Sequence, residues 1–260
     1  MDFRNRQKGF AENWFRERGV SVEKTHRYIA CDPKDNFIDS KECPYSDFLK
    51  KIQRNKSLRG PRNGISSQAM LVNLFGHCQR EDFVRIVRRL KFKNIEIQNP
   101  KCEFECDAGD WIGEGGKGQT TRIDACIYGG NFESPGCDSN RILVEMKYCE
   151  ENFGTCKTAN RACYRPILDD LGIFHPNWYQ TGYQFYRSIC AIKDGGYFVL
   201  LYHAENAKIL SHWNACYPTL PLHIQRRIQC LSVQEILYLL TSPNGEKRWI
   251  SEFKTRYGLN

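Results

Sequence analysis

Apolar and polar residues alternate along this chain at two distinct periods. Phe83, Ile86, Val87 and Leu90 recur at i, i+3, i+4 and i+7, one face of a helix, and leave Arg85, Arg88 and Arg89 on the remainder. "TTRIDACIY" (120–128) alternates instead, with Ile123, Ala125 and Ile127 set against Arg122, Asp124 and Cys126, which predicts a strand with one buried face. "RILVEMKY" (141–148) opens on an unbroken apolar run and predicts a central strand covered on both faces. "YFVLLYH" (197–203) reads as a buried strand too. "KNIEIQ" (93–98) supplies a further strand, with "CEFEC" (102–106) competing for part of that role.

Helix signals surround these runs. Ser66 or Ser67 offers an N-cap to "SSQAMLVNLFG", and "NWYQTGYQFYRSICAI" (177–192) spaces Tyr179, Tyr183, Tyr186 and Cys190 three or four apart. "GFAENWFRERG" near the start is helical, the capping box Ser232-x-x-Glu235 opens "SVQEILYLL", and "EKRWISEFKTRY" suggests a last helix. "GEGGKGQ" (113–119) and "GGNFESPGCDSN" (129–140) predict turns. The core order is helix, three strands, helix, strand, so the fold class is α/β. Residues 1–65 form an amino-terminal extension with a basic loop, 66–203 the core and 204–260 a helical carboxy-terminal extension, together one compact domain.

Composition narrows the class. With 41% hydrophobic and 13% aromatic residues the chain is globular rather than disordered. It has no bilayer-length apolar run and no leader-like start, so the expectation is a soluble cytoplasmic protein with no membrane partner. Thirteen cysteines without an export signal point to reduced thiols or a metal, not a disulfide framework. The net charge of +8 is concentrated in two acid-free stretches, "KKIQRNKSLRGPR" (50–62) and "RIVRRLKFK" (85–93). Solvated helix faces would look like this; contact with a polyanion is the reading preferred, with Arg62, Arg88 and Arg89 as candidate nucleic-acid contacts.

The candidate chemistry sits on the strands. Glu145 and Lys147 are two apart, so their side chains share a sheet face, and a hairpin pairing of the two strands brings Asp124 beside Glu145. Two carboxylates and an ammonium near a core are costly unless paired or neutralised by a cation. A hard divalent ion, Mg²⁺ or Mn²⁺, takes oxygen ligands, here Asp124, Glu145 and the Met146 carbonyl. A bare E-x-K also arises by chance, and Glu145 and Lys147 then form only a strand-end ion pair.

With the order of elements, "RIDACI" and "LVEMKY" resemble the PD-(D/E)XK nuclease superfamily, the restriction-endonuclease-like fold, and bacterial restriction endonucleases within it. The resemblance spans residues 66–203. It implies a metal-dependent deoxyribonuclease, of restriction or defence type, in which Asp124 and Glu145 hold the metal and Lys147 positions the attacking water. It further implies that Gln184 (or Gln180) orients the site, that Gln68 contacts metal or water, that Arg187 meets phosphate, and that cleavage leaves a 5′-phosphate and a 3′-hydroxyl. Double-strand cleavage favours a homodimer. The chain departs from the superfamily in having Ile123 before Asp124, and in having no glutamate on the first core helix, where Gln68 or Asn73 stand as substitutes.

Two rivals remain: a catalytically inactive nucleic-acid-binding protein of the same fold, and an iron–sulfur or zinc protein. The latter would draw on Cys102, Cys106, Cys149, Cys156 and Cys163, although no C-x₂-C pair occurs. The six histidines form no close pair and read as structural.

Overall fold

The structure, a computed structural model, describes residues 2–38, 63–93, 95, 97–114, 121–129, 140–156, 161–175, 177–241 and 246–259. In chain order the described helices are α1 (Phe3–Glu17), α2 (Ser67–Phe75), α3 (Arg80–Leu90), α4 (Arg161–Asp170), α5 (Trp178–Thr181), α6 (Tyr183–Cys190), α7 (Ala207–Cys216), α8 (Leu222–Gln225), α9 (Val233–Leu240) and α10 (Arg248–Tyr257). The strands are β1 (Pro100–Asp107), β2 (Arg122–Gly129), β3 (Arg141–Lys147), β4 (Tyr197–Tyr202) and β5 (Ile228–Ser232). No described helix is long and apolar enough to cross a membrane. The fold is mixed α/β, and the chain divides into two units, Met1–Asp82 with Val233–Asn260, and Phe83–Ser232.

In the first unit the Asp2 carboxylate accepts the Asn5 amide and caps α1, and Ser66, not Ser67, caps α2 by accepting from Ala69 N. Helix α2 is buried at every position except Gln68, which is why its sequence is apolar all round. The Arg256 guanidinium of α10 is fully buried among the rings of Trp14, Phe15 and Tyr257, and donates to Asn36 Oδ1 (2.7 Å) and the Gly64 carbonyl (3.0 Å). A side chain at Gly64 would meet Ala11 Cβ at 2.7 Å and the Tyr28 carbonyl at 2.8 Å, so glycine is required there.

The second unit is built on one five-stranded sheet in the order β1-β2-β3-β4-β5. The β1/β2 and β2/β3 pairings are antiparallel, and the β3/β4 and β4/β5 pairings are parallel. All seven residues of β3 are buried, as its continuous apolar run predicted. Cys126, Leu143, Phe198 and Leu200 lie on one face and pack against Tyr164, Trp178, Phe185 and Ile189. The ring of Phe185 stands 5.2 Å from Phe153 and 5.5 Å from Trp213, so α6 is anchored by aromatic contact on both sides.

Three sequence expectations change. The strand is Pro100–Asp107, not 93–98, whose described residues form no strand; Lys91 and Asn99, with φ of 48° and 50°, turn the chain on either side of it. The helix expected over 177–192 is two, α5 and α6, broken at Gly182, where a Cβ would lie 3.0 Å from Cys216 Sγ. The stretch 204–260 is not all helical, since it contributes β5 beside β4. The turns expected at 113–119 and 129–140, and the basic run 50–62, fall largely or wholly outside the described residues.

Candidate active site

The pairing of β2 with β3 carries the site. Its last register pair is Ala125↔Val144, so one step further the register sets Asp124 opposite Glu145. Asp124 Oδ2 accepts the Met146 amide at 2.8 Å, which pins the aspartate to β3 beyond the end of the regular ladder. A strand residue projects its N–H and C=O to the same edge, so the Met146 carbonyl faces the Asp124 side as well. Glu145 and Lys147 share their face, and Lys147 Nζ donates to Glu145 Oε1 at 2.8 Å. The two residues are 7% and 5% exposed, which takes them out of the class of solvated strand-end pairs.

Electrostatics set this cluster apart from an ordinary ion pair. Burial, then the neighbouring Glu145 charge, push the Asp124 carboxyl well above the ordinary carboxylate range, against the opposing pull of Lys147 and the Met146 N–H. Burial alone would lower the Lys147 ammonium, but Glu145, Glu150 and Asp124, in that order, outweigh it and the net shift is upward. Two carboxyl groups thus share one ammonium away from water, and burial disfavours ionising the second unless a cation offsets its charge. Such a donor set fits a hard cation.

Other candidates take varied positions. Gln184, half-buried on α6, donates its backbone N–H to the Phe153 carbonyl at 2.9 Å and lies over Gly154 (φ +69°), where an added Cβ would stand 3.5 Å from its Cδ. Gln180 is exposed on α5 and donates to Tyr179 Oη at 3.4 Å. Arg187 is half-buried on α6, one turn from Gln184, with its guanidinium 5.5 Å from the Tyr183 ring. Arg88 and Arg89 are exposed on α3. Arg62 lies outside the described residues. Gln68 belongs to the first unit, on α2, and is half-buried. Asn73, the other substitute for a helix glutamate, is spent on structure: its Oδ1 accepts from Ile38 N (2.9 Å), and its Nδ2 donates to the Asn36 carbonyl (3.1 Å) and Tyr257 Oη (2.8 Å).

Among the described residues no three His, Cys, Asp or Glu converge as a metal-binding group. Cys106 Sγ donates to the Glu103 carbonyl at 3.3 Å, and its Cys126 neighbour and burial push its thiol up, which favours a neutral thiol over a metal-ligating thiolate.

A family described as Restriction Endonuclease associating with ARP matches residues 5–258. The chain belongs to that family. Neither a curated protein nor a solved structure matches it.

The family assignment spans both units, and residues that sequence reading passed over surround the acidic pair in the second. Glu105, between the β1/β2 register pairs Phe104↔Ala125 and Cys106↔Ile123, faces Asp124 across the strands and has a left-handed φ of 55°. Its charge adds to the rise of the Asp124 carboxyl. Placing the strand at 93–98 concealed it. Glu150 and Asn206 lie on connections, where local pattern does not reveal what a side chain will touch. Asn206, 3% exposed, donates to the carbonyls of Tyr148 (2.9 Å) and Glu150 (2.8 Å), and its Oδ1 accepts from Ile209 N at the start of α7 (3.2 Å).

Proposed function

We propose that the protein is a divalent-metal-dependent DNA endonuclease on a PD-(D/E)XK core, of restriction or defence type. The observation that carries this reading is the buried Glu145–Lys147 pair with Asp124 beside it, two carboxyl groups sharing one ammonium in a restriction-endonuclease family. Asp124, Glu145 and the Met146 carbonyl would hold Mg²⁺ or Mn²⁺. A bound ion of this kind lowers the pKa of its water and offsets charge on a phosphate. Lys147 holds the attacking water in line with phosphorus and offsets charge at the scissile group, and the Asp124–Met146 hydrogen bond keeps the aspartate from swinging away. Gln184 orients the same site, and Arg187 and the exposed Arg88 and Arg89 meet backbone phosphates. The core order of helix, three strands, helix and strand is part of this reading. So is association with ARP, on the ground of the family's description, and a homodimer for double-strand cleavage.

The test is cleavage of supercoiled, linear and single-stranded DNA with Mg²⁺, Mn²⁺ or no metal. Metal-dependent nicking by wild type and none by Lys147→Ala supports the reading. Wild type and variant equally inert, with DNA binding intact in both, would instead make this a binding protein on the same fold.

A further inference from the structure

The basic face of α3 belongs to the same unit as the site but not to the same side of the sheet. Residues 83–93 hold five basic residues and no acid. Phe83, Ile86 and Leu90 are buried, which turns Arg85, Arg88 and Arg89, at i, i+3 and i+4, outward on one face. Lys91 and Lys93 are exposed just beyond the helix. Lys91 holds a left-handed φ of 48°, which glycine takes at no cost, yet the chain carries a lysine there. Among the described residues neither Arg85 nor Arg88 has an acidic partner.

Strand register fixes where that face lies. Glu145 and Lys147 pair with Leu200 and Tyr202, and Leu143 with Phe198, so all six share the face that packs on α4 and α6. Tyr197 and Val199 point to the other face, and Gln229, paired with Val199, points with them. It is this second face that holds α3. Tyr197 Oη donates to the Lys93 carbonyl at 2.7 Å, the Tyr197 ring stands 4.6 Å from Phe92, and Gln229 Nε2 donates to the Leu90 carbonyl. Tyr197 also lies level with Ile142, five residues and about 17 Å back along β3 from Lys147. The basic stripe is behind the sheet and toward its far end.

We propose that the basic face of α3 binds a second segment of duplex DNA, distinct from the segment held at the cutting site. This rests on the DNA-endonuclease reading given above. Duplex DNA is stiff, with a persistence length of about 150 base pairs, so a segment lying against the acidic pair does not turn round the end of the sheet to its opposite face. None of residues 83–93 is an exposed large hydrophobic, so the face lacks the apolar anchor of a protein interface and the aromatic platform on which single strands stack. What it offers is a row of cations, and those suit the phosphates of a duplex backbone.

The test is bridging by the full chain without metal. A short biotinylated duplex is fixed on beads, protein is bound to it, the excess is washed away, and a fluorescent short duplex is added. Wild type is expected to capture the second duplex. Arg85→Glu with Lys93→Glu, both exposed and both outside the site, should capture about tenfold less while still holding the bead-bound duplex. Five phosphate contacts give log affinity a slope of about −4.5 on log salt, so doubling the salt should weaken the second capture about twentyfold. Capture that survives in the variant, as two cutting sites of a dimer would give, overturns the proposal. So does a variant that loses both duplexes, which would put α3 at the cutting site, and so does wild type that holds the first duplex and takes no second. Wild type that binds no duplex overturns this proposal and the endonuclease reading together. Wild type that bridges two duplexes but cuts none with Mg²⁺ or Mn²⁺ overturns the endonuclease reading alone.

Discussion

Replacing Lys147 by methionine tests whether the pair on β3 is a cation site or a structural bridge. Methionine keeps the length of the side chain and removes the ammonium. The two charged atoms are 2.8 Å apart on side chains 6% and 9% exposed. At an effective dielectric constant of about 20 their gross attraction is about 6 kcal/mol, offset by the desolvation of both groups. Removal of one partner strands a buried carboxylate beside Asp124, at a cost of about 3–5 kcal/mol. At about 2–4 °C per kcal/mol for a chain of this size, the metal-free variant should melt about 6–20 °C below wild type. Divalent ion should then restore part of the loss, because Asp124 and Glu145 are left without a competing ammonium. At ten times its Kd an ion adds about 1.4 kcal/mol, or about 3–6 °C. Differential scanning fluorimetry with and without Mg²⁺, Mn²⁺ or Ca²⁺ reads both effects. A metal-free variant melting within about 2 °C of wild type would refute the buried-pair energetics. An ion-induced shift no larger in the variant than in wild type would refute the cation site.

Glu145→Gln should abolish metal-dependent cleavage while circular dichroism and melting remain those of a folded protein; cutting at the wild-type rate would remove Glu145 from the site. Asp124→Asn, which keeps an oxygen to accept the Met146 amide, should raise the melting temperature of the metal-free protein at neutral pH. The sign follows from the raised Asp124 carboxyl: its favourable contribution is present below the unfolded value of about 4 and is lost as pH rises through the folded one, so wild-type stability should decline relative to Asp124→Asn across that interval. Glu105→Gly should stabilise by about 1 kcal/mol, since glycine adopts φ +55° freely and the Arg122 partner, 3.9 Å away, is largely exposed; chemical denaturation checks it. Asn206→Asp should destabilise by about 2–4 kcal/mol, because two buried carbonyls lose their donor and face a charge.

How much of this was legible in the sequence depends on the range of the interaction concerned. Strands β2, β3 and β4 followed from local period, because burial on one or both faces writes itself into every second residue or into an unbroken apolar run. A serine cap at 66 or 67 and the apolar helix behind it were legible for the same reason, since a cap acts over three residues, and the structure chose Ser66. Glu145 and Lys147 could be placed on one face from their spacing alone, and Asp124 beside them once a hairpin was assumed. The misplaced first strand shows the limit: 93–98 alternates as well as 102–106 does, and nothing local reveals which stretch the neighbouring strand will pair with. Strand β5 escaped because its place beside β4 is earned by a parallel contact some thirty residues distant, not by its own pattern. The depth of the Glu145–Lys147 pair, the raised Asp124 carboxyl, the left-handed Glu105 and the Asn206 hydrogen bonds to the Tyr148 and Glu150 carbonyls were decided only by the tertiary structure. A residue's type and spacing determine which face it occupies, but its desolvation and its counter-charges come from elements that sequence distance keeps apart.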